Sequence, residues 1–304
     1  MLTLDSRATT RAGDCDPRPP VGTDAERREF ESQGFLVVRQ ALDPSMVERL
    51  LVVHERIYEE ERAAERLRAD GSMHAFAFVL RDPIYLELLD LPSTFPLIWG
   101  LLGWNIYMYH CHVDLHPRSA SKREHAWDWH RDGGRQNFEI ETEPLPPRLS
   151  VKVGYFLSDV SVRGRANFAV VPGSHRRGRL TRQPSGDGGW YTPDGAVEIC
   201  ANPGDAVLFD RRVYHSRTEN RSDVPRRALF LGYTYRWVRE RDEYPIDRSS
   251  AWFQQLSPVR QQLLGAGRDA QSFWGLSDDD YPLYEWLNER GLITSARNMR
   301  APDG

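Results

Sequence analysis

The sequence predicts a mainly β protein, an antiparallel sandwich or barrel with helices at either end of the chain, and three features carry that reading. From about Asn105 to Trp237 the chain runs in short apolar or alternating segments separated by Gly, Pro, Asn and Asp, the spacing of strands and turns. Upstream of that stretch, and again beyond Tyr244, apolar residues recur at helical spacing. No internal repeat or low-complexity linker divides the 304 residues, and sandwiches and barrels of such length commonly form one domain.

Met1 to Gly22 is rich in Arg, Pro, Thr, Asp and Gly, has little apolar surface to bury, and is expected to be a disordered leader. A single domain is expected over residues 23–304, helical over 23–104, with the β core at 105–240 and C-terminal helices over 245–292. Thr23 is placed to cap a helix over Asp24 to Gln33, and Phe35 to Val38 reads as a short strand. Leu42-Asp43-Pro44 sets an N-cap before a first-turn proline, and Val47, Leu50, Leu51, His54 and Ile57 form the apolar stripe of the helix that follows. The strands expected next are Ile106 to Leu115, Leu149 to Leu157, Phe168 to Val171, Val197 to Cys200, Ala206 to Phe209 and Ala228 to Trp237. Asn202-Pro203-Gly204-Asp205 reads as a hairpin turn between two of them. The last helix is expected over Tyr284 to Gly291.

The formal charge of −4 is spread along the chain, so no basic stripe marks a nucleic-acid or membrane surface, and a small-molecule partner is favoured. Cys15, Cys111 and Cys200 are odd in number and lack metal-type spacing, which fits a reducing compartment. No run approaches the ~18 apolar residues of a membrane span. The start has no apolar stretch of signal-peptide type, and a cytoplasmic location is expected.

The sharpest local feature is Trp127-Asp128-Trp129-His130-Arg131-Asp132-Gly133-Gly134. On a strand, residues two apart face one side, so His130 and Asp132 can bind one metal while Arg131 points away. A third ligand from a distant strand completes a two-histidine, one-carboxylate face, which keeps positions open and is diagnostic of non-haem Fe(II) oxygenases. His215, after the strand at Ala206 to Phe209, is the partner chosen, because the run Asn220 to Leu229 behind it sets arginines at the head of the next strand. An arginine fork there can hold a carboxylate bidentately, as the tail of 2-oxoglutarate requires. His112-Val113-Asp114 repeats the His-x-Asp pattern inside an apolar run with His110 and His116, where a plain strand explains it.

The segments Trp129-His130-Arg131-Asp132, Val170-Val171-Pro172-Gly173-Ser174-His175, and His215 through Asn220, Ser222, Pro225, Arg226, Arg227, Ala228 and Leu229 resemble the phytanoyl-CoA dioxygenase family, which includes ectoine hydroxylases and natural-product oxygenases. The likeness runs from about Phe35 to Trp237. It implies a double-stranded β-helix, the jelly-roll core of cupin-like proteins, working with Fe(II), 2-oxoglutarate and O2. It also implies His130, Asp132 and His215 as the iron ligands, and Arg226 as the arginine on the 2-oxoglutarate carboxylate, with Arg227 as runner-up. Family members often carry Ser two residues after the distal histidine, where this chain has Arg217, so Ser216 or Thr218 would have to supply that hydroxyl. The related halogenases lack the carboxylate that Asp132 supplies, so halogenation is disfavoured.

Lys152, one of the chain's two lysines, shares a strand face with Gly154 and Phe156 and would meet an anionic cosubstrate if that face lines the barrel, whereas an edge lysine would face solvent. Trp129 and Phe138 flank the metal segment and suit an apolar substrate wall, although core packing explains them equally well. His175 is read as a loop residue that fixes turn geometry. The expected function is oxidation, by default hydroxylation, of a small molecule of secondary metabolism, with release of succinate and CO2. Two alternatives are a cupin-like metal enzyme that does not use 2-oxoglutarate and a non-catalytic small-molecule binder.

Overall fold

A computed structural model describes residues 24–120, 129–133, 140, 147–177, 192–266 and 282–292. Nine strands among them form two antiparallel sheets. The large sheet has the order β1-β7-β4-β9-β3-β2, from Phe35–Val38, Ala206–Asp210, Ser150–Phe156, Arg226–Tyr235, Ile106–His116 and Met73–Phe76 respectively. The small sheet has the order β6-β5-β8, from Val197–Ile199, Phe168–Val170 and His215–Arg217. This is the sheet-rich antiparallel architecture that the alternating segments predict, consistent with the jelly-roll core that the family resemblance implies.

Burial divides the large sheet into two faces. On β4, Val151, Val153 and Tyr155 belong to the main apolar core. Phe156 joins a second cluster with Phe168 and Val170 of the small sheet, Phe209, Ala228 and Phe230. The first face is covered by helices and the second faces the small sheet, so the second cluster marks the barrel interior. Helix α1 (Asp24–Gln33) buries Phe30. Helix α2 (Pro44–Ala63) starts as its sequence dictates, with the Asp43 side chain accepting from Met46 N at 2.8 Å and Pro44 in the first turn. Its buried stripe includes Val47, Leu50, His54 and Ile57. Helix α3 (Phe95–Leu102), a short apolar run buried on most sides, is not foreseen from periodicity because it has no polar face to create one. A last helix over Pro282–Glu289 buries Leu283 and Leu287 against the same core.

The strand expected at Phe35–Val38 is present as β1 and pairs with β7, whereas β2, which pairs with β3 at the other edge of the large sheet, lies where helix was expected. The turn at Asn202–Asp205 is present but makes no hairpin. Its flanking strands β6 and β7 lie in different sheets, so the turn carries the chain across the sandwich. Asp205 fastens that crossing by accepting from Asn202 N at 2.8 Å and from Arg39 at 2.7 Å. Met1 to Gly22 and Phe138 lie outside the described residues.

One irregularity decides what faces the interior. The β3–β9 register slips between Met108 and His110, so Tyr109 is an extra residue and the strand's alternation reverses there. Before the bulge the even-numbered Ile106 and Met108 pack in the main core; after it the odd-numbered Cys111, Val113 and Leu115 do. His110, His112, Asp114 and His116 are thereby turned to the face that Phe230 and Ala228 share on β9.

Candidate metal centre

Backbone pairing brings the separated parts of the metal motif together. His130 and His215 form an antiparallel bridge, each N–H donating to the other's carbonyl at 3.1 and 3.0 Å, which extends the small sheet by one residue pair. Asp132 lies in a turn, not on a regular strand, and its N–H donates to Arg211 O at 2.9 Å. Between them Arg131 turns away, as expected, although the turn and not the alternation of a regular strand directs it. It donates to the carbonyls of Ser174 and Arg177 at 2.7 Å and lies over the Tyr214 ring. Ser174 Oγ in turn accepts from Tyr214 N at 2.8 Å. The Pro-Gly-Ser-His loop thus braces both metal segments, and His175 ties it to α1 through Glu31 O at 3.0 Å.

One ligand atom from each of His130, Asp132 and His215 lies within 4.8 Å of the others. His215 Nε2 is 3.8 Å and His130 Nε2 4.0 Å from the Asp132 carboxylate. The donor set fits a hard-to-borderline divalent metal such as iron(II). His215 Nδ1 donates to Val213 O at 3.0 Å, which fixes the tautomer and leaves Nε2 to bind. Burial, reinforced by His130, pushes His215 down to about 3, so its imidazole is neutral and its lone pair available. Burial alone would raise the Asp132 carboxyl, but Lys152, His215 and His130 outweigh it and hold it well below the ordinary range. Phe168 and Phe209 pack against His215 at ring separations of 5.3 and 5.0 Å. Asp132 and His215 are buried, whereas the His130 side chain is 37% exposed, so the centre opens on the His130 side.

Lys152 projects from the interior face of β4 with its Nζ 2.9 Å from Asp132 Oδ2. It is 4% exposed, so it is neither an edge nor a solvent lysine. Arg226, 2% exposed at the start of β9, faces the interior between the Phe156 and Phe230 rings and reaches Asp114 Oδ2 at 3.2 Å. Arg227 turns to the helix side and pairs with Glu55 at 2.9 Å. On β8, His215 and Arg217 oppose Val170 and Phe168 of the interior cluster, while Ser216 opposes Ala169. Ala169 belongs with Trp129 and Val171 to a small cluster on the other face. Ser216 and Trp129 are therefore on the side of the sheet away from His215, and Thr218 Oγ1 donates to Asn167 O at 3.4 Å. Arg217 is partly exposed; burial first, then Arg226, lowers its guanidinium to about 10.

Sequence reasoning left His74 unread. It joins His112 and Asp114 in a second group whose ligand atoms lie within 4.8 Å of one another, with His74 Nδ1 2.5 Å from Asp114. The available signal was the shift of apolar residues along β3 from even to odd positions, which turns His112 and Asp114 inward.

Comparison with known proteins bears on the family and the fold. The model of the family described as phytanoyl-CoA dioxygenase (PhyH) matches residues 30–228. Ectoine dioxygenase of Nocardia farcinica is 24% identical over 236 residues, covering 66% of this chain and 74% of that protein. Dioxygenase trt7 of Aspergillus terreus is 22% identical over 222 residues, covering 69% and 73%. Among solved structures, HygX of Streptomyces hygroscopicus with nickel and 2-oxoglutarate bound superimposes with a TM-score of 0.58 at 15% identity, over 77% of this chain and 94% of that one. The epimerase SnoN, in complex with Fe3+, alpha ketoglutarate and nogalamycin RO, gives 0.53 at 21% identity, over 69% and 82%.

Proposed function

The chain belongs to the phytanoyl-CoA dioxygenase family, and from that premise we propose that this iron- and 2-oxoglutarate-dependent dioxygenase hydroxylates a small molecule of secondary metabolism in the cytoplasm. His130, Asp132 and His215 are the iron ligands in this reading, and Arg226 holds the distal carboxylate of 2-oxoglutarate. The observation that carries it is the convergence of two imidazoles and one carboxylate within 4.8 Å at a centre open on one side. Structures of similar fold hold small molecules of this kind: SnoN is in complex with nogalamycin RO and HygX has hygromycin B bound. No helix among the described residues is long and apolar enough to cross a membrane.

When bound, iron(II) with 2-oxoglutarate and O2 supplies the oxidant, and 2-oxoglutarate leaves as succinate and CO2. The protein's part is to orient and to insulate. The Val213 carbonyl fixes the His215 ring, and the reciprocal His130–His215 backbone bonds fix the spacing of the two imidazoles. Lys152 neutralises and orients the Asp132 carboxylate and offers an ammonium to an anion seated beside it. Phe168 and Phe209 keep water from the buried side of His215.

A panel of natural-product intermediates incubated aerobically with the Fe(II) protein and 2-oxoglutarate tests this reading. A matching compound should raise succinate release well above the uncoupled rate and gain one oxygen atom per succinate formed. A product isomeric with its substrate, or one lacking two hydrogens, would overturn hydroxylation. Failure of any compound to raise succinate release would count against the substrate class.

A further inference from the structure

We propose that Arg217 is a second cation for the distal carboxylate of 2-oxoglutarate, so that this end of the cosubstrate is gripped between Arg217 on the small sheet and Arg226 on the large one. The proposal rests on the reading that Arg226 faces that carboxylate.

Placement comes first. His215 and Arg217 oppose Val170 and Phe168, both members of the interior cluster, so the two side chains leave the same face of β8. Two strand residues advance the chain by about 6.6 Å, comparable with the end-to-end length of a five-carbon dicarboxylate. A molecule anchored at one end beside His215 and lying along β8 therefore brings its other end to Arg217. Arg226 reaches the same region from the opposite sheet, since Arg217 feels the charges of both Arg226 and Asp114, and Asp114 is the carboxylate that Arg226 pairs with.

Charge comes second. Asp114 is ion-paired with Arg226 at 3.2 Å, and among the described residues no carboxylate forms an ion pair with Arg217. Arg68 and Asp70, the other charges felt by Arg217, oppose each other in sign. With Asp114 already engaged by Arg226, the Arg217 guanidinium is left without a carboxylate partner among the described residues, and a largely buried cation gains when an anion enters beside it. Hydrogen bonding agrees: among the described residues the buried Nε atoms of Arg217 and Arg226 both lack a partner, and the one bond Arg217 makes there is a long one, Nη1 to Thr218 O at 3.4 Å. Buried guanidinium donors without acceptors await a ligand that supplies oxygens, and a carboxylate matches the planar fork. The arrangement also removes the need for a hydroxyl at Ser216, which faces the other way.

The test compares two keto acids on the anaerobic Fe(II) protein, each titrated by its metal-to-ligand charge-transfer absorption: 2-oxoglutarate and 2-oxopentanoate, which has the same chain length without the distal carboxylate. Wild type should prefer 2-oxoglutarate strongly. Arg217→Ala should lose roughly tenfold or more of the affinity for 2-oxoglutarate, as expected when a charge-assisted contact is removed, while binding 2-oxopentanoate as wild type does. Unchanged 2-oxopentanoate binding also verifies that the variant is folded; Arg217→Met, which keeps the bulk, replaces it if Ala does not fold. Arg217→Lys should recover part of the loss, because an ammonium keeps the charge but not the fork. Full affinity for 2-oxoglutarate in Arg217→Ala and Arg217→Met, or an equal loss for both keto acids, overturns the role of Arg217. If Arg226→Ala abolishes the preference while the Arg217 variants keep it, only the second cation is lost. No preference in wild type would instead overturn the Arg226 reading beneath it.

Discussion

Arg226 pairs with Asp114 within the protein, and in the proposed reading it also holds a cosubstrate carboxylate. Burial lowers its guanidinium and Asp114 pulls the other way, so the pair holds itself charged in an apolar setting between Phe156 and Phe230. At 3.2 Å the contact with Asp114 uses one nitrogen of the fork and leaves the rest for a ligand. Arg226→Ala should therefore weaken 2-oxoglutarate binding by on the order of 2 to 5 kcal/mol, a factor of roughly 30 or more. Iron affinity should barely change, because Arg226 is not among the converging donors. Equilibrium titrations of iron and then of 2-oxoglutarate separate the two effects, and a variant that lost iron instead would show that Arg226 shapes the metal centre itself.

At the scale of elements, the site depends on two alternations, one regular and one interrupted. On β8 the simple alternation sends His215 and Arg217 inward, and that much is readable from the sequence once the strand is placed. On β3 the bulge at Tyr109 reverses the pattern, and a plain reading of the His112-Val113-Asp114 strand does not reveal that its polar face looks into the barrel. Helix α2 is pinned to this strand by His54, whose Nε2 donates to the carbonyl of Asp114 at 3.0 Å. Burial pushes His54 down to about 4 from its ordinary 6.5, with the bond to Asp114 only partly opposing it. An unfolded chain takes up this proton near pH 6.5 and the folded chain only near 4, so the stability it contributes is full above about pH 6.5 and is lost as pH falls toward 4. From pH 7 to pH 5 that loss is about 2 kcal/mol. His54→Gln keeps a donor for the carbonyl but does not titrate, so urea unfolding at the two pH values should show a correspondingly smaller acid loss than wild type. An equal loss in both would place the pH dependence elsewhere, for instance at His110 or His116, which burial also lowers to about 4.

Across the whole molecule, the helices close one face of the large sheet and the small sheet covers the other, so the polar interior is confined between two layers and reached from the His130 side. The convergence of His130, Asp132 and His215 was legible in the sequence because a two-histidine, one-carboxylate face demands those residue types. The three-residue β8 is too short to show alternation, but most strands were legible because alternation is a local signal. The crossing of the chain between sheets at Asn202–Asp205, the edge strand β2 and the outward turn of Ser216 were not, since each is decided by which distant strand becomes the neighbour. The most direct measurement of the central claim is an anaerobic titration of the Fe(II) protein with 2-oxoglutarate, read by charge-transfer absorption, in wild type and in His130→Ala, Asp132→Ala and His215→Ala. The expected result is a band that saturates at one 2-oxoglutarate per chain in wild type and is lost in each of the three variants, while His112→Ala, in the second histidine cluster, still binds iron. A band of full amplitude in any of the three, or none in the iron-loaded wild type, would contradict the assignment of this centre.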